Sequence, residues 1–152
     1  IDMDKKEISN SIQKIIEKNN DSYKGYKQVA DKANDSQLRS FFIQQAIERK
    51  EFAGKLLNQL KIYNPDLNDN ASGSAVGSLH RTWINVKTAL SQDNDEALLE
   101  ECLRGDKASI EDYEEFLNNN KEIPDNLRST ITQQVQDIKN TLESVSRLED
   151  VH

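Results

Sequence analysis

"NPDLNDNASGSAVGSLHRTWINVKTALSQD", residues 64–93, is the stretch on which the fold turns. It parts two long segments of helical periodicity from two more, and its length governs how those pairs can lie. It opens on Asn64 and Pro65 and gathers Asn, Asp, Ser and Gly as far as Gly77. That composition ends a helix and makes turns. Val76, Leu79, Trp83, Val86 and Leu90 then recur at steps of three and four, which predicts a short helix inside the connection.

Upstream, Ile8, Ile12, Ile15, Ile16, Tyr23, Tyr26 and Ala30 form one helical stripe, and Leu38, Phe41, Phe42, Phe52, Leu56 and Leu60 form a second. Asn34 with Gln37 reads as the capping box between them. Downstream, Asp93 with Glu96 reads as a second capping box. It is followed by Leu98, Leu99, Cys102, Ile110, Tyr113, Phe116 and Leu117. Pro124 suits the first turn of a last helix carrying Leu127, Ile131, Val135, Ile138, Leu142, Val145 and Leu148. No strand pattern and no repeat competes with this reading.

Short links make antiparallel neighbours, so the first two helices and the last two each form a hairpin. A helix of about 26 residues is about 39 Å long at 1.5 Å per residue. A connection over about 64–93 can run that length and set the fourth helix parallel to the second. The fold class expected is therefore all-α: a ferritin-like four-helix bundle, two antiparallel hairpins joined by a long crossover with a short fifth helix, as a single domain over 1–152. In that crossover Trp83 is the expected apolar anchor, with His80 and Arg81 beside it making local hydrogen bonds.

Composition narrows the functions. The chain has 152 residues, 35% of them hydrophobic and 31% charged, with a formal net charge of -7. So acidic a chain meets nucleic acid with the electrostatic term against it. No apolar run approaches the roughly 20 residues that span a bilayer, so no membrane role is expected. "IDMDKKEISN" has no apolar run of the secretory kind. Together with a single cysteine, this predicts a cytoplasmic protein.

Chemistry-bearing motifs are few. Asp66, Asn68 and Asn70 alternate as in a calcium loop, but Ala71 stands where the sharp turn needs Gly and Gly77 where a bidentate Glu is needed. An ordinary turn is the reading. Cys102 lies on a buried stripe and reads as a small hydrophobe. His152 is the last residue and is expected to be mobile. No Ser-His-Asp or Cys-His-Asn set can be inferred, so no catalytic residue is named. The apolar stripes do carry polar residues at mid-helix: Asn19, Ser22, Gln45, Glu48, Asp106, Ser109 and Gln134. They should meet in one layer of amides and hydroxyls that satisfy one another. Glu48 and Asp106 are the inward carboxylates, weak candidates for metal ligands. They fall short of the four carboxylates and two imidazoles of a di-metal centre, so neither metal nor cofactor is expected.

"NNDSYKGY" (19–26), "SGSAVGSLHRTW" (72–83) and "LLEECLRGDKASIEDYEEFL" (98–117) resemble a bacterial family of ferritin-like proteins of unknown function, domain of unknown function 2383. The most specific part is Gly73, Ser74, Gly77, His80, Arg81 and Trp83. The resemblance implies a ferritin-like bundle and no established reaction. In the last helix this chain has Leu142 where the family often has His, which weakens a metal-site analogy. The expected function is that of a non-enzymatic helical domain acting through self-association, as a homo-oligomer, or through a protein partner. The alternative is a carboxylate-bridged metal protein, an oxidase or metal store, with an incomplete ligand set.

Overall fold

A computed structural model describes residues 2–67 and 86–152. Among them are five helices: α1 (Asp2–Lys32), α2 (Ser36–Tyr63), α3 (Val86–Ser91), α4 (Asp95–Asn119) and α5 (Asp125–Ser144), followed by a 3-10 turn, Leu148–Val151. No strand occurs among the described residues. The helices follow the apolar stripes of the sequence. The anchors expected in the connection, Val76, Leu79, His80, Arg81 and Trp83, lie outside the described residues, as do Gly73, Ser74 and Gly77.

The helix starts differ from the expected ones by a residue. Asp35, not Asn34, caps α2, its carboxylate accepting from the Leu38 N–H at 2.8 Å. The reason is that α1 hydrogen bonding continues to Ala33, whose N–H reaches the Val29 carbonyl at 2.9 Å. Asn34 is thereby left in the turn, and its N–H goes to Asp95 at 2.9 Å. Asn94, not Asp93, caps α4, accepting from the Ala97 N–H at 3.2 Å. Asp93 has φ 47°, the left-handed region that Asp tolerates better than most residues, and this puts the cap one position later. Pro124 is itself the cap residue of α5 rather than its first helical residue.

Contacts across the helices fix their directions. Asn19 meets Tyr113, Tyr26 meets Asp106 and Asn34 meets Asp95, so α1 and α4 run antiparallel. Tyr63 lies beside Pro124, Phe52 beside Gln134 and Phe41 beside Val145, so α2 and α5 are antiparallel too. Because α1 and α2 form a hairpin, α2 runs parallel to α4.

The apolar interior falls into two clusters. One gathers Ile12, Ile16, Leu56, Leu60, Phe116, Leu127, Ile131 and Ile138. The other gathers Tyr26, Val29, Leu38, Phe42, Leu98, Leu99 and Cys102. Full burial of each large side chain is favourable by about 1.5–3 kcal/mol. Arg49 and Asp106, both fully buried, stand between the clusters on α2 and α4. No helix among the described residues is long and apolar enough to cross a membrane.

The end of the molecule where α1 meets α2 is tied by polar contacts. Asp95 accepts from both the Asn34 and Asp35 N–H groups, at 2.9 and 2.8 Å. Glu96 accepts from the Leu148 N–H at 3.2 Å. His152, expected to be mobile, instead sits with Nε2 2.8 Å from Asp35 Oδ2. The 3-10 turn carries it there, held by Asp150, which accepts from the Ser146 and Arg147 N–H groups at 2.8 and 3.2 Å.

Candidate functional site

The buried stripe of α2 runs Leu38, Phe42, Gln45, Arg49, Phe52, Leu56 and Leu60. Its steps of three and four are those of a core-facing helix, and Arg49 occupies one of them. A guanidinium has five N–H donors and keeps its charge, so it can sit there only with acceptors and countercharge around it. The Asp106 carboxylate supplies the first, its Oδ2 lying 3.1 Å from Arg49 Nη2. Glu48, the preceding residue, turns Oε1 to within 2.5 Å of Nη1 from a side chain 32% exposed. Tyr26 and Phe52 present their rings to the same cation, with centroids 5.8 and 5.5 Å from Cζ.

Tyr26 also donates its hydroxyl to Asp106 Oδ2 at 2.5 Å. Burial, followed by the Asp106 charge, raises the Tyr26 phenol well above its ordinary range, so it stays a donor. Burial works against the Arg49 cation, but the Asp106 carboxylate and then Glu48 outweigh it and hold the guanidinium charged. Cys102, one turn before Asp106 on α4, is buried. Its thiol is raised well above its ordinary value by burial, then by the Asp106 and Glu101 charges. A thiol in that position is a poor nucleophile.

A second, neutral system threads the bundle at the next level. Asn19 Nδ2 donates to Tyr113 Oη at 2.7 Å, and Tyr113 donates on to Gln134 Oε1 at 2.7 Å. Gln134 Nε2 then donates to the Phe52 carbonyl at 3.3 Å. One hydrogen-bonded line thus joins α1, α4, α5 and α2. Burial raises the Tyr113 hydroxyl too, keeping it protonated.

The structure therefore brings the expected polar residues together, but through hubs that polarity alone did not mark. Asn19 and Gln134 do not touch; Tyr113 stands between them. Glu48 and Asp106 both face Arg49 rather than forming a shared carboxylate pair. Ser22, Gln45 and Ser109 are buried in the stripes as expected. The layer is a charged node beside a neutral chain, not the mutually satisfied amides and hydroxyls expected. Polarity on the stripes does not mark Arg49, Tyr26 or Tyr113 as members of the layer. The signal for Arg49 lay in its spacing, seven residues from both Phe42 and Leu56. Among the described residues, no group of three or more His, Cys, Asp or Glu is placed to hold a metal ion.

At the surface, Ile43 and Ile47 stand one turn apart on α2, 46% and 51% exposed. They line a groove of about 250 Å³ with Tyr23, Lys27, Ala30, Asp31 and Ala46.

No curated protein and no solved structure matches the chain. A family model does match, over residues 7–119, from early α1 to the last residue of α4. That span holds Asn19, Tyr26, Glu48, Arg49, Asp106 and Tyr113, and leaves Gln134 on α5 outside. By that match the chain belongs to the family described as Domain of unknown function (DUF2383).

Proposed function

We propose that the chain is a ferritin-like helical domain of the cytoplasm that works by association, with a second copy of itself as the partner, and carries out no reaction of its own. The observation that carries this reading is the exposed pair Ile43 and Ile47 on α2. The groove they border also holds Lys27 and Asp31, again one turn apart. Such a face is self-complementary. A two-fold axis through it sets Ile43 against Ile47 of the other copy, and Lys27 against Asp31, as an isologous interface requires.

The ferritin-like assignment draws its support from the helix directions, two hairpins with α2 parallel to α4 across a long connection. The competing reading is a carboxylate-bridged metal protein. Arg49 weighs against it, because the guanidinium already pairs with both Asp106 and Glu48. Displacing it would strand a buried charge.

Sedimentation equilibrium of the whole chain tests the proposal. The expected result is a dimer at high micromolar concentration that the double variant Ile43→Glu/Ile47→Glu converts to a monomer with unchanged helical circular dichroism. A wild-type chain that stays monomeric, or a double variant that dimerises equally well, overturns it.

A further inference from the structure

The charged node leaves four buried polar atoms without a hydrogen-bond partner: Arg49 Nε and Nη2, Gln45 Oε1 and Asp106 Oδ1. Nη2 is close to Asp106 Oδ2, at 3.1 Å, but as an ion pair without hydrogen-bond alignment. Arg49 and Asp106 are fully buried and Gln45 is 9% exposed. Gln45 stands one turn before Arg49 on α2, and Asp106 faces Arg49 from α4. That placement puts the three side chains in one neighbourhood, and their four atoms divide evenly into two donors and two acceptors.

We infer that this neighbourhood is a binding site for internal water, which accepts from Arg49 and donates to Asp106 Oδ1 and Gln45 Oε1. The chemistry of the orphan set selects the ligand. Donors and acceptors must be met together, which a molecule able to do both achieves and a simple ion does not. The node carries one guanidinium and two carboxylates, Glu48 and Asp106, so its formal charge is negative and an anion is disfavoured. A metal cation would meet the acceptors but would face the Arg49 cation and leave its N–H groups unmet. Water is neutral, small and amphoteric, and buried water characteristically makes about three such bonds. It extends the node so that Arg49 keeps its charge in the core without every bond coming from the protein.

The site is independent of the proposed association, because it lies between the apolar clusters rather than on the α1/α2 face. A high-resolution crystal structure of the full chain is the first test. The expected result is one or two ordered oxygens at about 2.7–3.2 Å from Arg49 Nε or Nη2 and from Asp106 Oδ1 or Gln45 Oε1. Direct pairing of these atoms with protein groups, with no density between them, overturns the inference. So does density for an ion or an organic molecule.

Oxygen-17 relaxation dispersion gives a solution readout. The long-lived water signal should fall in Arg49→Met/Asp106→Leu, which removes three of the four orphan atoms and leaves no unpaired Arg49–Asp106 charge. Gln45→Leu, which removes one acceptor and no charge, supplies the same readout should the double variant fail to fold. An undiminished signal in a folded variant places the water elsewhere and overturns the inference.

Discussion

The two polar systems at the middle of the bundle solve the same problem by different means. Around Arg49 the core holds full charges: a guanidinium, the Asp106 carboxylate, Glu48 reaching in from the surface and the Tyr26 hydroxyl. Around Tyr113 it holds only neutral groups, passing one hydrogen bond to the next from Asn19 to Gln134. Both cross the bundle, yet they should respond differently to loss of a member. A neutral group that loses its partner costs its own desolvation, whereas a buried charge that loses its countercharge costs far more. The charged node is therefore the less tolerant of the two.

The most damaging single change on this account is Asp106→Leu. It strips the fully buried Arg49 of its main countercharge and Tyr26 of its acceptor. A loss of about 3–5 kcal/mol in urea unfolding is expected; a loss under about 1 kcal/mol would make the node no different from a surface pair. Tyr113→Phe comes next. It keeps the ring in the core and removes the one oxygen that joins Asn19 to Gln134, for an expected loss of about 1–3 kcal/mol. Equal losses in the two variants would erase the distinction between charged node and neutral chain.

Smaller effects are expected away from the layer. Asp35 is held below its ordinary value by the hydrogen bond from His152 and by the Leu38 N–H, with partial burial opposing them. A carboxyl whose folded value is depressed contributes its full stability above the unfolded value, about 3.9. That contribution is lost as the pH falls through the folded value. Carbon-detected NMR should therefore show Asp35 titrating below an unfolded reference, with Leu38 amide protection falling over the same acidic interval. An Asp35 midpoint at the reference value would remove the cap from the account.

The mildest expectation concerns Cys102, which should resist a thiol-specific disulfide reagent at pH 8 in the folded chain and react at once in denaturant. Rapid native reaction would mean that the apolar cluster around Cys102 opens readily.

Much of this arrangement was legible in the sequence. The stripes from Ile12 to Ala30 and from Leu127 to Ile138 gave the helices, and the short links gave the hairpins. The layer was legible in location but not in chemistry. Arg49 shares the spacing of Phe42 and Leu56, yet a hydropathy reading moves any arginine to the solvated face. The apolar stripes mark Tyr26 and Tyr113 by their rings, although their hydroxyls organise the layer. The one-residue offset of the caps has another cause. Asn34 and Asp35 can both cap, as can Asp93 and Asn94, so residue type does not choose between them. Backbone geometry chooses, as the left-handed φ of Asp93 illustrates. Chain position alone predicts a mobile His152, whereas its contact with Asp35 depends on a turn set by Asp150.

The central claim is that Arg49 and Asp106 act as one unit, each tolerable in the core only because the other is there. A double-mutant cycle by urea unfolding tests it most directly, using Arg49→Met, Asp106→Leu and the two combined. The account predicts a coupling of at least about 2 kcal/mol, with the double variant more stable than Asp106→Leu alone, since paired apolar replacements of similar volume restore a core that a stranded charge disrupts. Additive losses, within about 0.5 kcal/mol, would contradict it.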